Sequence, residues 1–195
     1  MHYDREEAQP RSAKLGGDTA QLLAESIALN SAFNSMVVPP TVAGQLPIQL
    51  GNKTECALLG FVDRLGFNVA RLREEHPEQD FVKVYTFNSS RKCMLTVRRL
   101  NADSGEHLGY RVYCKGASEI VLGRCSHLIG ADARPHKLEA ERRDEIGKHV
   151  IARMAEAGLR TICVAYKDYI RSSVRPTTPT EVMILTSLGT RKLAG

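Results

Sequence analysis

The sequence predicts an α+β fold, a mostly antiparallel twisted β-sheet flanked by helices. Residues 18–75 place apolar side chains at helical spacing, residues 81–114 change to a period of two, and residues 139–166 return to a helix followed by one apolar strand. Strands in one cluster, with helices before and after it, give a sheet covered by helices rather than an alternating parallel sheet.

The elements follow in order. "GDTAQLLAESIALNSAF" offers Asp18 or Thr19 as an N-cap and sets Leu22, Leu23, Ile27 and Phe33 on one face, so it predicts a helix reaching Phe33. "VVPPTVAGQLPIQLG" reads as a loop, because its three prolines oppose both a helix and an interior strand. A second helix starts near Thr54, turns Ala57, Leu58, Phe61, Val62 and Leu65 inward, and stops at Gly66. A third runs from about Asn68 to Glu75. "FVKVYTF", "CMLTVRRL" and "YRVYC" are three neighbouring strands, with "NADSGEH" as a surface loop between the last two. "ASEIVLGRC" is a short helix. "EAERRDEIGKHVIARMAEAG" is a longer one that sets Ile146, Val150, Ile151 and Met154 on one face and ends at Gly158, and "RTICVAY" is a buried strand. Residues 1–17 and 170–195 lack periodic apolar pattern and read as an N-terminal linker and a C-terminal linker or appended tail, leaving 18–169 as the domain.

Composition narrows the function classes. The chain has 195 residues, 43% hydrophobic and 25% charged, enough for one domain with a real core, and it contains no apolar run of the ~18 residues a membrane span needs. The polar N-terminus lacks the apolar centre of a secretory signal, so a cytosolic setting is expected. Five widely spaced cysteines without a C-x-x-C pair predict reduced, mostly buried thiols. A net charge of +5 spread along the chain fits solvated surface charge better than a nucleic-acid footprint, which would need a clustered cationic face.

Several chemistries are absent. "GNKT" lacks the glycine spacing of a phosphate loop, because Asn52 intervenes before Lys53 and residue 46 is leucine. There is no G-x-S-x-G or H-E-x-x-H, and the six histidines lack paired ligand spacing and read as surface residues. The sequence therefore predicts no catalytic residue and no metal site. What remains is one constellation. Phe87 ends a strand, where an aromatic either joins the core or projects into a cleft; Arg91 and Lys92 follow within a few residues, and Lys115 precedes Gly116 in "YCKGAS". An aromatic face, a buried amine and flanking cations suit a planar, anionic ligand such as a nucleotide.

"GNKTECALLGFV", "KVYTFNSSRKCM", "YCKGASEIVLGRC" and "GLRTICVAYKDY" resemble the four signature stretches of the nucleotide-binding (N) domain of P-type cation-transporting ATPases, the plasma-membrane calcium pumps above all. The resemblance runs from about residue 18 to 169. It implies that ATP is the ligand, accompanied by magnesium in the parent enzyme. It implies that Glu55, with Thr54 beside it, meets the adenine amino group, and that Phe87 stacks on the ring. It further implies that Lys92 lies near the phosphates, Lys115 sits at the back of the pocket with Gly116 and Ala117 as its wall, and Arg160 contacts the phosphate tail. Arg91 and Met94 stand equally well as surface charge and core packing.

The family's phosphorylated aspartate lies in Asp-Lys-Thr-Gly-Thr, which does not occur here. The resemblance thus implies the ATP-binding part of a calcium-translocating pump that presents ATP to an aspartate elsewhere and does not hydrolyse it alone. Its partners would be the pump's phosphorylation and actuator domains, with no nucleic acid. The fragment itself is expected to be soluble and monomeric, a cytoplasmic part of an integral protein of the plasma membrane or another calcium-storing membrane. A nucleotide-sensing regulatory domain that keeps the fold without catalysis is the alternative.

Overall fold

The computed structural model describes residues 15–42, 44–102 and 104–171, and the backbone of 181–188. Helix α1 spans Gly17–Leu29 and is followed by strands β1 (Met36–Val38) and β2 (Ile48–Leu50), then helices α2 (Lys53–Arg64) and α3 (Val69–Glu75). Strands β3 (Phe81–Asn88), β4 (Cys93–Asn101) and β5 (His107–Ala117) lead to helix α4 (Ser118–Leu122) and the short strands β6 (His127–Ile129) and β7 (Pro135–Lys137). Helix α5 (Ala140–Ile146) continues through a π-helical stretch, Gly147–Ala152, into α6 (Arg153–Glu156), and strands β8 (Arg160–Ile170) and β9 (Glu181–Leu188) complete the order.

Seven strands form one sheet in the order β3-β4-β5-β8-β9-β6-β7, and β1 pairs with β2 in a separate hairpin. Every pairing is antiparallel except β6 with β9. The alternation of the central strands divides the core. Met94, Lys115 and Val164 lie in register across β4, β5 and β8, and so do Cys93, Gly116 and Cys163 one residue away. Successive residues point to opposite faces. Val164 therefore packs with Leu23 and Ile27 of α1, Leu58 and Val62 of α2 and Leu72 of α3, whereas Cys93 and Cys163 pack with Val121, Leu122 and Ile146 on the other face.

Several sequence expectations are corrected. Helix α1 ends at Leu29, short of Phe33, because Asn30 turns inward: its amide donates to the Met94 carbonyl at 3.3 Å and accepts from Thr96 Oγ1 at 2.9 Å. Its predicted caps lie inside the first turn, and Thr19 donates instead to the Gly130 carbonyl at 3.0 Å. The predicted loop 37–51 contains the β1–β2 hairpin, whose three prolines (Pro39, Pro40, Pro47) flank the strands without interrupting a ladder. The third strand is longer than "YRVYC" and carries Lys115, Gly116 and Ala117 itself. Strands β6 and β7 had no sequence counterpart. Within the predicted tail 170–195, Glu181–Leu188 pairs with β8 from Arg160 to Lys167. Residues 1–14, 172–180 and 189–195 of the predicted linkers lie outside the described residues.

Candidate functional site

One cleft of about 670 Å³ opens where the N-terminus of α2, the β3–β4 turn, the end of β5, the start of β8 and the helix ending in α6 meet. It is lined by Thr54, Glu55, Phe87, Lys92, Lys115, Gly116, Ala117 and Arg160, the eight residues singled out in the sequence. Leu58, Ile151, Leu159 and Ile162 add an apolar wall the motifs did not flag, and Asn52 and Glu119 also reach it.

Each side chain arrives there for a local reason. Asn52 caps α2, its Oδ1 accepting from the Thr54 and Glu55 amides at 2.9 and 3.2 Å, which sets Glu55 in the first turn. A register shift between Tyr85 and Asn88 re-aims the end of β3, and Phe87 stands there 61% exposed, so it projects rather than joining the core. The turn after it is tight: the Asn88 side chain accepts from the Ser90 and Arg91 amides, and Lys92 follows in the left-handed region at φ 56°. Gly116 has a packing reason, since a β-carbon there would collide with the Lys92 carbonyl and Cys93. Arg160 is aimed by the end of α6, where Leu159 donates back to Met154 at 2.8 Å and Gly158 takes φ 72°.

At the floor, Glu55 and Lys115 form an ion pair at 2.7 Å, both almost fully buried. All three protons of the Lys115 ammonium are used: they go to Glu55 Oε1, to Ser31 Oγ at 3.0 Å and to the Asn30 carbonyl. Glu55 Oε2 accepts from Ser35 Oγ at 2.6 Å and from the Ala32 amide at 3.1 Å. Burial alone would raise the Glu55 pKa, but the Lys115 charge and the hydrogen bonds from Lys115, Ser35 and Ala32 together hold it below its ordinary value. Burial pulls the Lys115 pKa down, and the Glu55 carboxylate opposes that pull.

Lys92 and Arg160 at the rim are exposed, and among the described residues their side chains make no hydrogen bond or ion pair. Arg91 is an exposed turn residue whose guanidinium donates to the Thr86 carbonyl at 2.9 Å, and Met94 is buried, so neither lines the cleft. The five thiols are free, four of them buried, and burial with the neighbouring Cys93 pushes the Cys114 thiol up to about 12. His76, His107 and His127 are half-buried rather than at the surface; His136 and His149 are exposed. Among the described residues no group of three or more His, Cys, Asp or Glu could hold a metal ion, and no helix is long and apolar enough to cross a membrane.

The family described as P-type ATPase, cytoplasmic domain N, matches residues 18–188, so the match continues past Tyr169 through β9. The plasma membrane calcium-transporting ATPase mca-1 of Caenorhabditis elegans is 58% identical over 181 residues, 93% of this chain and 14% of the relative. Plasma membrane calcium-transporting ATPase 4 of Homo sapiens is 44% identical over 167 residues, 86% of this chain and 13% of that protein. The chain thus spans a small part of the length of the curated relatives it matches.

Proposed function

Since the chain belongs to the P-type ATPase cytoplasmic domain N family, we propose that its cleft binds ATP and presents the phosphate tail to an aspartate in another domain of a longer, calcium-translocating pump. The observation that carries this reading is the grading of the cleft, from a buried carboxylate beside an apolar wall to an exposed aromatic and free cations. Adenine enters against Phe87, whose open face supplies stacking. Glu55 Oε1, already accepting from Lys115, keeps a lone pair for the exocyclic amine, and Thr54 lies beside it. Guanine offers a carbonyl oxygen at that position, so ATP is favoured over GTP.

Lys115 contributes its stem as part of the floor and its charge as the partner of Glu55, since its protons are spoken for. Gly116 and Ala117 form the wall beside it. Lys92 and Arg160, with side chains unengaged, are the groups that meet the phosphates. The carboxylates lining the cleft do not fit a magnesium ion, because the Glu55 charge is already balanced by Lys115 and, among the described residues, no three or more His, Cys, Asp or Glu stand together to hold one. The ion that accompanies ATP would be held by other parts of the pump, as would the phosphoryl acceptor. Residues 18–169 together with β9 form the nucleotide-binding unit in this reading, facing the cytoplasm from a membrane-embedded parent.

Equilibrium dialysis of the 195-residue chain with labelled ATP, followed by an assay for released phosphate, tests the division of roles. With much of the phosphate tail in water, binding near the millimolar scale is expected, roughly −4 kcal/mol, with no turnover. Absence of saturable binding, or turnover that survives repeated purification, would refute it.

A further inference from the structure

Among the described residues, every group that hydrogen-bonds the Glu55 and Lys115 side chains from outside that pair belongs to one short turn, residues 30–35: the Asn30 carbonyl and Ser31 Oγ on Lys115, the Ala32 amide and Ser35 Oγ on Glu55. That turn follows the last residue of α1, and the one hydrogen bond between its own backbone groups runs from the Ser35 amide to the Ala32 carbonyl at 2.9 Å. Three of its carbonyls, together with that of Ala28 at the end of α1, are met by a single side chain from α3. Arg73 Nε donates to the Ala28 carbonyl at 3.2 Å, Nη1 to Phe33 and Ser35 at 3.2 and 3.0 Å, and Nη2 to Ala32 at 3.2 Å. The guanidinium also lies 4.7 Å from the centre of the Phe33 ring, which is braced edge-on by Phe81.

We propose that Arg73 is a positioning residue for the nucleotide cleft: it holds the 30–35 turn in the shape that fixes where Glu55 and Lys115 stand. This inference rests on the ATP reading above. Arg73 does not line the cleft, and its donors are engaged by backbone oxygens, so it acts through the turn and not on the ligand. The planar fork suits the task, since it reaches four carbonyls at once, which a lysine ammonium with three protons cannot do. Burial pulls the Arg73 pKa down, and the Glu55 and Glu78 carboxylates oppose that pull. Released from the clamp, the turn would let Glu55 drift from the adenine edge.

The test compares the 195-residue chain with its Arg73→Ala, Arg73→Lys and Arg111→Ala variants. Arg111 is the control, about 13 Å back along β5 from Lys115. It makes a two-pronged ion pair with Asp168 at 2.7 Å and covers the Tyr166 ring, so its loss destabilises the fold away from the cleft. At a temperature where all four are folded, Arg73→Ala is expected to weaken ATP about three- to tenfold and to shrink the preference for ATP over GTP. Arg73→Lys recovers part of that loss, and Arg111→Ala keeps the wild-type affinity despite a lower Tm. An unchanged affinity and ATP to GTP ratio in Arg73→Ala, or an equal loss in Arg111→Ala, overturns the proposal. The Ala32 amide resonance without nucleotide separates the two readings. If it stays in place in Arg73→Ala, the clamp is refuted whatever ATP does; if it moves while the wild type ignores ATP, the ATP reading falls and the role assigned to the clamp falls with it.

Discussion

The floor and the rim of the cleft are built on opposite terms. At the floor, Glu55 and Lys115 are 7% exposed each and their hydrogen-bonding groups are already engaged by the protein. At the rim, Phe87 is 61% exposed, and Lys92 and Arg160 reach into water without partners among the described residues. Desolvating a charge is tolerable only when it is paired, so the floor must be completed by folding itself. The rim costs little to leave open and keeps its interactions for the ligand. Floor substitutions should therefore act on stability first, and rim substitutions on affinity alone.

The largest effect would come from breaking the floor. Lys115→Met leaves the Glu55 carboxylate buried without its ion-pair partner and should destabilise the fold by about 3–5 kcal/mol, read from urea denaturation. The same reasoning makes Glu55→Gln more than a change of hydrogen-bonding pattern, since it strands the Lys115 ammonium. Combining the two substitutions should restore part of the loss. Additive losses would mean that the pair is not coupled.

Phe87→Ala tests the other side. A stacking platform lost from an exposed position should weaken ATP by about 1–3 kcal/mol and leave the Tm nearly unchanged. A collapse in Tm would place the ring in the core, where Phe→Ala typically costs about 3–5 kcal/mol, and would erase the contrast between the two regions. Arg160→Ala should cost less, about 1 kcal/mol of ATP affinity at low salt, and its effect should fade as ionic strength rises, because the charge is exposed and screened. An effect independent of salt would argue that Arg160 is desolvated in the complex and belongs with the floor.

The smallest effect is the pH dependence of the floor. The Glu55 pKa lies below its ordinary value of 4.5 in the folded protein. Its contribution to stability is therefore complete above that ordinary value and is lost as pH falls from there through the lowered folded value. Urea midpoints should drop across that acid range in the wild type and drop less in Glu55→Gln. Parallel acid limbs in the two proteins would show that Glu55 titrates as it does when unfolded.

Part of the cleft is legible from local cues: the strand end at Phe87, the polar turn that carries Lys92 and the Lys115–Gly116 step each lie within a short stretch. Thr54, Glu55, Ala117 and Arg160 have no such cue and come from the family resemblance, and all eight residues line one cleft. The floor was legible as residue types but not as a network. Glu55 and Lys115 are 60 positions apart, and the Arg73 contacts to the 28–35 carbonyls span 38–45 positions, so no local pattern marks them. Strands β3, β4 and β5 follow from their period of two and β8 from its apolar run, four of the seven in the sheet. The β1–β2 hairpin escaped because prolines were weighed as breakers when they only flank three-residue strands. Strand β9 escaped because it lies beyond a Ser-, Pro- and Thr-rich stretch, and pairing with β8 is a non-local contact.

The most direct measurement is an amide-resolved NMR titration of the isotopically labelled chain with ATP. The expected result is a set of shifts at Phe87, Lys92, Gly116, Ala117 and Arg160 that follow one saturating curve near about 1 mM, while Arg111 and Asp168 stay still. Shifts that fail to saturate, or that are largest around Arg111 and Asp168, would contradict the assignment of this cleft to ATP.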